Sequence, residues 1–569
     1  MSKRIWNHPE ADAGNATVAW RSPGQLQDSA QFRNWLEREF PQGAAEMADG
    51  EDVETSRRSF LKLMGASTAL AGFGMAACRR PEAYIVPYTK APELVIPGKA
   101  TYYASAMPRA GGATPLVVTT FEGRPTKLGA NTLHPDNEGT DAFVQASVLD
   151  LYSVSRSRTI LKSGKKASRK ELDDVIAALA KDTAGKIGFV FGADESPTRT
   201  RLTRDLGAKF TAAKFYQYEP LAGDTAAVLG DGVKTVVDFE KADRIVSLDC
   251  DFTALDSQGP VRPFYDRRKP EGRTYDKAPD AAGMNRLYVV EAAFSLTGGI
   301  ADHRLRVPAS QILTIAAQIA KGVGVDAGTI ASAGEVTDPK HLSWITELVA
   351  DLQASKGKSV VLAGSRMPAA VQHLALAINQ ALGNIGEGKP LATLRTEVTG
   401  LGTLADVKRD IDSGTLETLV LLTPANPLHD AFADLGFADS FKKLKACIHL
   451  STRTDATAHA STWHIPAAHY LESWSDARSA RGTYTIVQPM ILPLYEDCVS
   501  ELELLIALLS DEGKLLNGEG EKGAASPAYT AVRATFAAVG GEGDTVWKQL
   551  LRDGFFAGST YPATEVALA

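Results

Sequence analysis

Short, almost continuous apolar runs recur along the chain beyond Lys186, and segments with helical spacing of apolar residues lie between several of them. The runs of strand length are Ile187 to Phe191, Arg244 to Leu248, Leu287 to Val290, Ser359 to Leu362, Thr418 to Leu422 and Ala446 to Leu450. The helix-length segments are Gln311 to Ala320, Pro368 to Leu382 and Leu401 to Ile411. Apolar strands separated by helices predict parallel sheets covered on both faces, so we expect an α/β fold of the doubly wound type.

Ahead of this region the pattern is different. The segment Arg79 to Pro115 is rich in Pro, Tyr and Ala and lacks periodicity, which indicates an extended arm. Leu116 to Leu128 contains two β-rich runs about a turn with Gly123 and predicts a hairpin, and a helix is expected beyond Asp141. Near the other end, the low-complexity tract Gly518 to Ala525 predicts a linker before a last helical segment through Leu550.

An export signal precedes the arm. Arg57 and Arg58 are followed by Ser-Phe-Leu-Lys and by an uncharged small and apolar run from Leu63 to Ala77, which is too short to span a bilayer. Paired arginines in this position indicate the twin-arginine route, which exports folded proteins. Cys78 follows small residues and is a candidate acylation site, although a single acyl chain holds a membrane only marginally.

We therefore divide the chain into four parts. Residues 1–77 hold a cytoplasmic-side tract and the signal region, and 78–150 hold the lipobox cysteine, the extended arm and a small β/α segment. Residues 151–510 form the α/β body, and 511–569 form the linker and the C-terminal helical segment.

Composition adds little beyond exclusions. The 569 residues are 44% hydrophobic and 23% charged, which is ordinary for a globular protein. The formal net charge of -7, without a basic cluster, argues against nucleic acid as a partner. No long apolar run lies outside the signal, so we expect a soluble protein apart from any lipid on Cys78.

Cysteine and histidine spacing favours structural roles. Cys250, Cys447 and Cys498 lie far apart, so neither an iron-sulfur cluster nor a zinc site is built locally, and each is expected to be a buried small hydrophobe. Four histidines share one region, and a metal site there is conceivable, but their strand and helix context favours structural histidines. These histidines are His449, His459, His464 and His469.

Candidate site residues follow from the predicted strands, because ligands of doubly wound sheets bind beyond the carboxyl ends of the strands. The loops at these ends carry five acidic residues, two arginines and an asparagine. These residues are Asp194, Glu195, Asp249, Asp251, Glu291, Arg366, Asn426 and Arg453.

Five segments of the chain stand in the order that one protein family has, although each is weak alone. They are Arg244 to Asp249, Leu287 to Glu291 with Ala301 to Pro308, Ala381 to Gly386, Ala425 to Pro427, and Thr457 to Glu472 with Arg481 to Thr483. With these segments the chain resembles the molybdopterin oxidoreductases over nearly all its length. The resemblance implies a molybdopterin-oxidoreductase-like fold with several subdomains.

The departures from the family pattern concern its cofactors. Active members carry an amino-terminal cysteine set for an iron-sulfur cluster, a ligand on the metal, and a carboxyl-terminal barrel over the pterin. This chain has no cysteine set, it has no Cys directly after Lys214 to Pro220, where the metal ligand is expected, and it stops too soon for a full barrel. The acidic loops would also repel a doubly phosphorylated cofactor, and Arg366 and Arg453 offset only part of that charge. We therefore expect the fold to be kept and the molybdopterin and iron-sulfur cofactors to be absent, with no catalytic residue and no metal ligand.

One branch of the family fits this description, the twin-arginine-translocated molybdopterin-oxidoreductase-like subunit (B-type subunit) of bacterial alternative complex III. The similarity lies at the amino end, in a displaced signal and a post-cysteine arm. The matching segments are Trp20 to Ser22, Phe32 to Pro41, Arg57 to Ser67, Cys78 to Glu82, Ile85 to Tyr88 and Ile96 to Gly98. Most such subunits continue into a ferredoxin-like domain with several clusters. Here we expect that domain to be a separate polypeptide or to be lost.

The resemblance implies a scaffold subunit on the periplasmic face of the bacterial inner membrane. Its partners would be an iron-sulfur ferredoxin-like subunit, multihaem cytochrome c subunits and quinol-oxidising integral membrane subunits, with haem and clusters in those partners. One alternative is an active molybdenum bis-pterin oxidoreductase of the tetrathionate, polysulfide or arsenate type. A second alternative is a lipid-anchored binding protein of another class.

Overall fold

The computed structural model describes residues 96–137, 139–221, 226–230, 232–269, 283–325, 334–397, 400–510, 512–515 and 525–565. These residues belong to the unit Leu94–Ala569. Arg57, Arg58, Cys78 and the predicted arm up to residue 95 lie outside the described residues, as does the predicted linker apart from Ala525.

The strands of the described residues are short. They are β1 (Ala100–Met107), β2 (Thr114–Phe121), β3 (Arg124–Ala130), β4 (Leu161–Lys162), β5 (Lys165–Lys166), β6 (Ile187–Phe191), β7 (Lys214–Gln217), β8 (Val233–Val237), β9 (Arg244–Leu248), β10 (Arg286–Glu291), β11 (His303–Arg306), β12 (Ser359–Ala363), β13 (Leu391–Arg395), β14 (Thr418–Leu422), β15 (Ala446–Ser451), β16 (Trp463–Pro466), β17 (Ser475–Arg478) and β18 (Tyr484–Val487).

The helices alternate with the parallel strands. They are α1 (Ala142–Leu151), α2 (Arg169–Lys181), α3 (Pro197–Lys209), α4 (Ala226–Leu229), α5 (Arg262–Asp266), α6 (Leu296–Gly299), α7 (Ala309–Gly322), α8 (Pro339–Ala354), α9 (Ala369–Ala381), α10 (Leu404–Asp412), α11 (Pro427–Asp430), α12 (Phe437–Phe441), α13 (Ala456–Ala460), α14 (Glu501–Leu509), α15 (Pro527–Ala538) and α16 (Asp544–Asp553), with 3-10 turns at Phe239–Lys241 and Ala433–Leu435.

The parallel strands divide between two sheets. A seven-stranded sheet has the order β5-β4-β16-β15-β14-β6-β7, and its β7, β6, β14, β15 and β16 run parallel. A four-stranded sheet, β11-β10-β9-β12, is parallel throughout. All six predicted strands are present. Three of them, β6, β14 and β15, lie in the seven-stranded sheet, and the other three, β9, β10 and β12, lie in the four-stranded sheet. The α/β prediction is confirmed.

Each sheet is covered on both faces, as continuous apolar strands require. In the seven-stranded sheet, Phe189 and Val420 pack into one buried cluster while Val190 and Leu421 pack into another. The four-stranded sheet alternates in the same way, with one cluster about the helices α7, α8 and α9 and a second about Phe239, Phe252 and Phe264.

The predicted hairpin is confirmed, and the arm prediction is wrong for its last part. β2 and β3 pair antiparallel about Glu122 and Gly123, which both have positive φ. The segment 100–107, expected to be part of an extended arm, is the strand β1 and pairs with β2 over its whole length. The sequence gives no strand signal here because burial does not alternate along β1: Tyr102 and Tyr103 are both exposed, and the three residues after them are all buried.

Local sequence signals explain several helix boundaries. Ser168 caps α2 in a reciprocal pair with Glu171, and Leu172, Ile176 and Ala180 form its buried face. Asp141 caps α1 by accepting a hydrogen bond from the backbone N–H of Val144, which confirms the helix expected beyond Asp141.

The C-terminal helices share their core with the α/β body, although the sequence placed them in a separate part. Val532 and Phe536 of α15 and Trp547 of α16 pack in the same buried cluster as Phe189 and Leu202. Residues 525–553 therefore complete the covering of one face of the seven-stranded sheet.

A buried ion pair fixes the loop after α1. The guanidinium of Arg156 donates to both oxygens of Glu472 at 2.9 and 2.7 Å, and the two side chains are 1% and 0% exposed. Arg156 also donates to the carbonyl of Leu151 at 3.0 Å, and Glu472 accepts from the backbone N–H of Leu494. The glutamate of the family-like segment Thr457 to Glu472 is thus a structural anchor.

Candidate functional site

The candidate site residues fall into two sets, because the strands that carry them belong to two sheets. Asp194, Glu195, Asn426 and Arg453 follow strands of the seven-stranded sheet. Asp249, Asp251, Glu291 and Arg366 lie at the carboxyl ends of the four-stranded sheet. Among the described residues, no hydrogen bond or ion pair joins a side chain of one set to a side chain of the other.

Asp194 belongs to a partly buried ionic cluster at the end of β6. The guanidinium of Arg199, in the first turn of α3, lies 2.9 Å from Asp194 Oδ1 and 3.5 Å from Glu501 Oε1, and it also donates to the carbonyl of Asp194. The guanidinium stacks over the ring of Phe191 at 5.5 Å. Burial, with the charge of Asp194, raises the pKa of Glu501 to about 7 against the opposing effect of Arg199.

Glu195 is held by groups distant in the sequence. Lys234 of β8 lies 3.0 Å from Glu195 Oε1, and the phenol of Tyr561 donates to Oε2 at 2.8 Å. Its carbonyl accepts from the N–H of Arg478 on β17 at 2.8 Å, and the neighbouring Asp194 forms an isolated bridge with Ala110. The loop that follows β6 is therefore contacted by four other segments of the same chain.

Asn426 and Arg453 also have partners within the chain. Asn426 Oδ1 accepts from the hydroxyl of Thr457 at 2.6 Å and from its N–H at 3.2 Å, which ties the start of α11 to α13. Arg453 donates to the carboxylate of Asp150 at 2.8 Å and to the hydroxyl of Ser155. Both residues thus connect neighbouring elements of the fold.

Glu291, at the end of β10, is the most buried of the five acidic candidate residues, with 1% of its surface exposed. Its Oε1 lies 2.5 Å from the guanidinium of Arg304 on the adjacent strand β11, and its Oε2 accepts from the hydroxyl of Ser295 at 2.6 Å. A Cβ on Gly298 would stand 1.9 Å from Oε1, so only glycine leaves room for this carboxylate beside α6.

Asp251 and Asp256 join the three loops that follow β9, β10 and β12. Asp251 Oδ1 accepts from the N–H and hydroxyl of Thr297 at 3.0 and 2.7 Å. Asp256 accepts from the N–H of Asp251 at 3.0 Å and, through its other oxygen, from the N–H of Ser365 at 3.0 Å and the Ser365 hydroxyl. This network holds the loops 249–256, 291–300 and 364–368 together, and we call them the platform.

Two candidate residues of the platform differ from the rest. Asp249 has φ +50°, and its carbonyl lies so close to the chain after β12 that a Cβ on Gly364 would be 2.0 Å from it. Arg366 is exposed and has no hydrogen bond or ion pair within the described residues.

Two of the four histidines meet on adjacent strands. His449 and His464 stand opposite each other on β15 and β16 with their Nδ1 atoms 3.3 Å apart, and His464 Nε2 lies 2.7 Å from the hydroxyl of Ser157. Burial lowers the pKa of each to about 4, so the pair is neutral at physiological pH. Among the described residues, no three His, Cys, Asp or Glu come together in a way that could hold a metal ion.

The three cysteines of the α/β body are buried and unpaired, as predicted. Burial raises the pKa of Cys447 and of Cys498 to about 12, so both are inert thiols. None of the helices in the described ranges has the length and hydropathy to cross a membrane.

The acids at these edges are engaged by groups of the same chain. Glu195, Asp251 and Glu291 each meet a cation or a hydroxyl of this chain. Gly298 and Gly364 lie so close to a carboxylate oxygen and to a carbonyl oxygen of this chain that neither has room for a Cβ.

Sequence reasoning missed the cations that neutralise these acids. Arg199, Lys234 and Arg304 hold Asp194, Glu195 and Glu291, whereas only Arg366 and Arg453 were expected to offset the acidic charge. Arg304 had a usable signal, because it lies in the segment Ala301 to Pro308 next to β10. Tyr561 had none, because its contact with Glu195 joins distant parts of the chain.

Replacing Glu501 by Gln should flatten the dependence of stability on pH. The folded pKa of about 7 lies above the ordinary value of 4.5, so the native state keeps a proton that the unfolded chain has released. This stabilisation is fully present below pH 4.5 and is lost as the pH rises through 7. Urea unfolding between about pH 5 and about pH 8 should show that the variant loses about 2 kcal/mol less than the parent.

The matched control for this test is Glu542→Gln, which changes an exposed carboxylate ahead of α16. It should follow the parent at every pH. Equal pH slopes for Glu501→Gln and the parent would show that Glu501 is already ionised in the folded protein at acidic pH.

Comparison with known proteins finds similarity among solved structures. No protein-family model matches the chain, and no curated protein matches it. Among solved structures, acetylene hydratase from Pelobacter acetylenicus is similar with 12% sequence identity and a TM-score of 0.49, over 72% of this chain and 67% of that one.

Proposed function

We propose that this chain is a scaffold subunit, without catalytic activity of its own, of a membrane-associated quinol:electron-acceptor oxidoreductase of the alternative complex III type. The observation that carries the proposal is the internal neutralisation of the strand-end acids, above all Glu291 by Arg304 and Glu195 by Lys234. Breaking either contact to admit a phosphate would leave buried or half-buried charges unpaired, which is costly.

The partners follow from the resemblance and from the export route. The chain supports an iron-sulfur ferredoxin-like subunit, multihaem cytochrome c subunits and quinol-oxidising integral membrane subunits. Arg57 and Arg58 direct the folded protein to the periplasmic face of the inner membrane, where Cys78 adds a lipid anchor. Folded export is suited to a complex in which a cluster-bearing partner is assembled in the cytoplasm and travels with this chain.

The test is the composition of the complex in its native membrane. A tag on the C-terminus of this chain, mild detergent and affinity purification should yield haem-containing and iron-sulfur-containing subunits together with integral membrane subunits, identified by mass spectrometry. Arg57→Lys with Arg58→Lys is the control, because it removes the export signal and should abolish the membrane-bound complex. Purification of the chain alone from membranes that contain the other subunits would contradict the proposed function.

A further inference from the structure

The solvent-exposed side chains of the platform are largely apolar, although hydrogen bonds between polar groups hold its loops together. Leu255, Phe294 and Leu296 are 61%, 75% and 68% exposed, and Ile300 beside them is also exposed. Thr253 and Thr297 are joined at 3.0 Å between their hydroxyls, so the loop with Leu255 and the loop with Phe294 and Leu296 form one surface. Exposed apolar side chains that are gathered together on a rigid base mark an interaction surface.

The platform is rigid where its side chains are exposed. Glu291 binds Arg304 and Ser295, and Asp251 binds Thr297, on either side of the segment that carries Phe294 and Leu296. The guanidinium of Arg304 also lies 4.7 Å from the ring centre of Phe294 and supports it. Side chains that are held in place before binding lose little conformational entropy when a partner covers them.

Two cations flank the apolar centre. The strand order β11-β10-β9-β12 places Arg306 at one end of this edge and Arg366 at the other, with the exposed side chains of the β10 and β9 loops between them. Within the described residues neither arginine has a hydrogen bond or an ion pair. Three strand spacings separate them, which is about 14 Å.

The charge pattern distinguishes between the possible occupants. Two copies of this chain that met through a two-fold axis at the platform would place unpaired arginines against each other, which like-charge repulsion disfavours. A protein with an apolar centre and acidic side chains about 14 Å apart would instead pair with both arginines and cover the exposed leucines and phenylalanine.

We infer that the platform is a docking surface for another polypeptide, one with an apolar segment flanked by acidic residues that pair with Arg306 and Arg366. Because the scaffold role is itself a proposal, this inference deepens it by naming where a partner subunit binds. The edge at which doubly wound sheets bind small ligands is then used for a protein contact.

A photocrosslinking amino acid in the full-length tagged chain, in native membranes, tests the inference. Placed at Leu255 or Leu296, it should crosslink to one other subunit, and peptide mass spectrometry should place the crosslink within a few residues of Asp or Glu. The control position is Phe432, an isolated exposed aromatic residue on another loop, which should not crosslink to the same peptide. Thermal unfolding of each variant verifies that it is folded.

Charge reversal is the second test of the docking surface. Arg306→Glu with Arg366→Glu should reduce the crosslinked fraction at least about tenfold, and reversal of the partner's acidic residues to Lys should restore it. Lys340→Glu, an exposed cation of α8, is the control and should leave crosslinking unchanged. Crosslinks to a second copy of this chain or to lipid, no crosslink from an assembled complex, or crosslinking insensitive to the arginine reversal would each overturn the inference.

The two proposals fail in different ways. If neither haem-containing nor iron-sulfur-containing subunits co-purify with the tagged chain, the proposed function fails. A charge-dependent crosslink from Leu296 to an acidic polypeptide would still support the docking surface. If the complex has the expected subunits while the platform does not crosslink, only the docking surface fails.

Discussion

Replacing Arg156 by Met is expected to lower the free energy of unfolding by about 3–5 kcal/mol. The substitution leaves Glu472 as an uncompensated charge with 0% exposure, and it removes the donor to the carbonyl of Leu151. The retained backbone donors, the N–H groups of His469 and Leu494, solvate only part of that charge. Denaturation by urea, followed by circular dichroism, measures the loss as a lower midpoint with an unchanged slope.

The double variant Arg156→Met with Glu472→Leu is the control for this prediction. Replacing both members of a buried ion pair by apolar residues of similar size is often neutral, so the double variant should recover at least half of the loss. A double variant as unstable as Arg156→Met alone would show that the stability depends on packing about the guanidinium stem rather than on the stranded charge.

Replacing Gly364 by Ala is expected to destabilise the protein by about 3 kcal/mol, at the upper end for overpacking. The added Cβ would lie 2.0 Å from the carbonyl oxygen of Asp249 and 2.8 Å from its carbonyl carbon, and both are backbone atoms that cannot rotate away. Relief requires β12 and the β9 loop to separate, which also strains the bonds between Ser365 and Asp256. Chemical denaturation measures the loss.

Gly299→Ala is the matched control, because its Cβ would lie 3.7 Å from the ring of Phe294, at ordinary contact distance. It belongs to the same platform and should cost less than about 1 kcal/mol. If Gly364→Ala cost as little stability as Gly299→Ala, the loops of the platform could separate easily, and the platform would not be a rigid surface.

Local structure was predictable from the sequence to a large extent. The strands Ile187–Phe191 and Thr418–Leu422 have the bounds that their apolar runs predicted, because parallel strands buried on both faces must be apolar throughout. The helix after Asp141 was also predictable from local sequence, because the hydrogen bond that caps it joins residues only three positions apart.

Strand order was not predictable in this way. β6 pairs with β14, and β9 pairs with β12, and these choices depend on contacts between distant segments rather than on local apolar spacing. Consequently the sequence grouped eight candidate residues at strand ends, and the structure separates them into two sets on two sheets.

The roles of the acidic residues were predictable only in part. The sequence placed Glu291 and Asp251 at strand ends, which the structure confirms, but their partners Arg304 and Thr297 are set by tertiary packing. Glu291 and Asp251 are therefore members of an engaged polar network, whereas the sequence predicted an excess of free negative charge.

We propose that the fold is kept without the molybdenum cofactor, and the molybdenum content of the complex tests this proposal most directly. The complex should be purified through a tag on this chain from native membranes grown with molybdate and, separately, with tungstate, and its metals measured by inductively coupled plasma mass spectrometry beside its iron. We expect iron from haem and clusters, with molybdenum and tungsten far below one atom per chain. About one molybdenum or tungsten per chain, with pterin released on denaturation, would contradict the account and make the chain an active oxidoreductase.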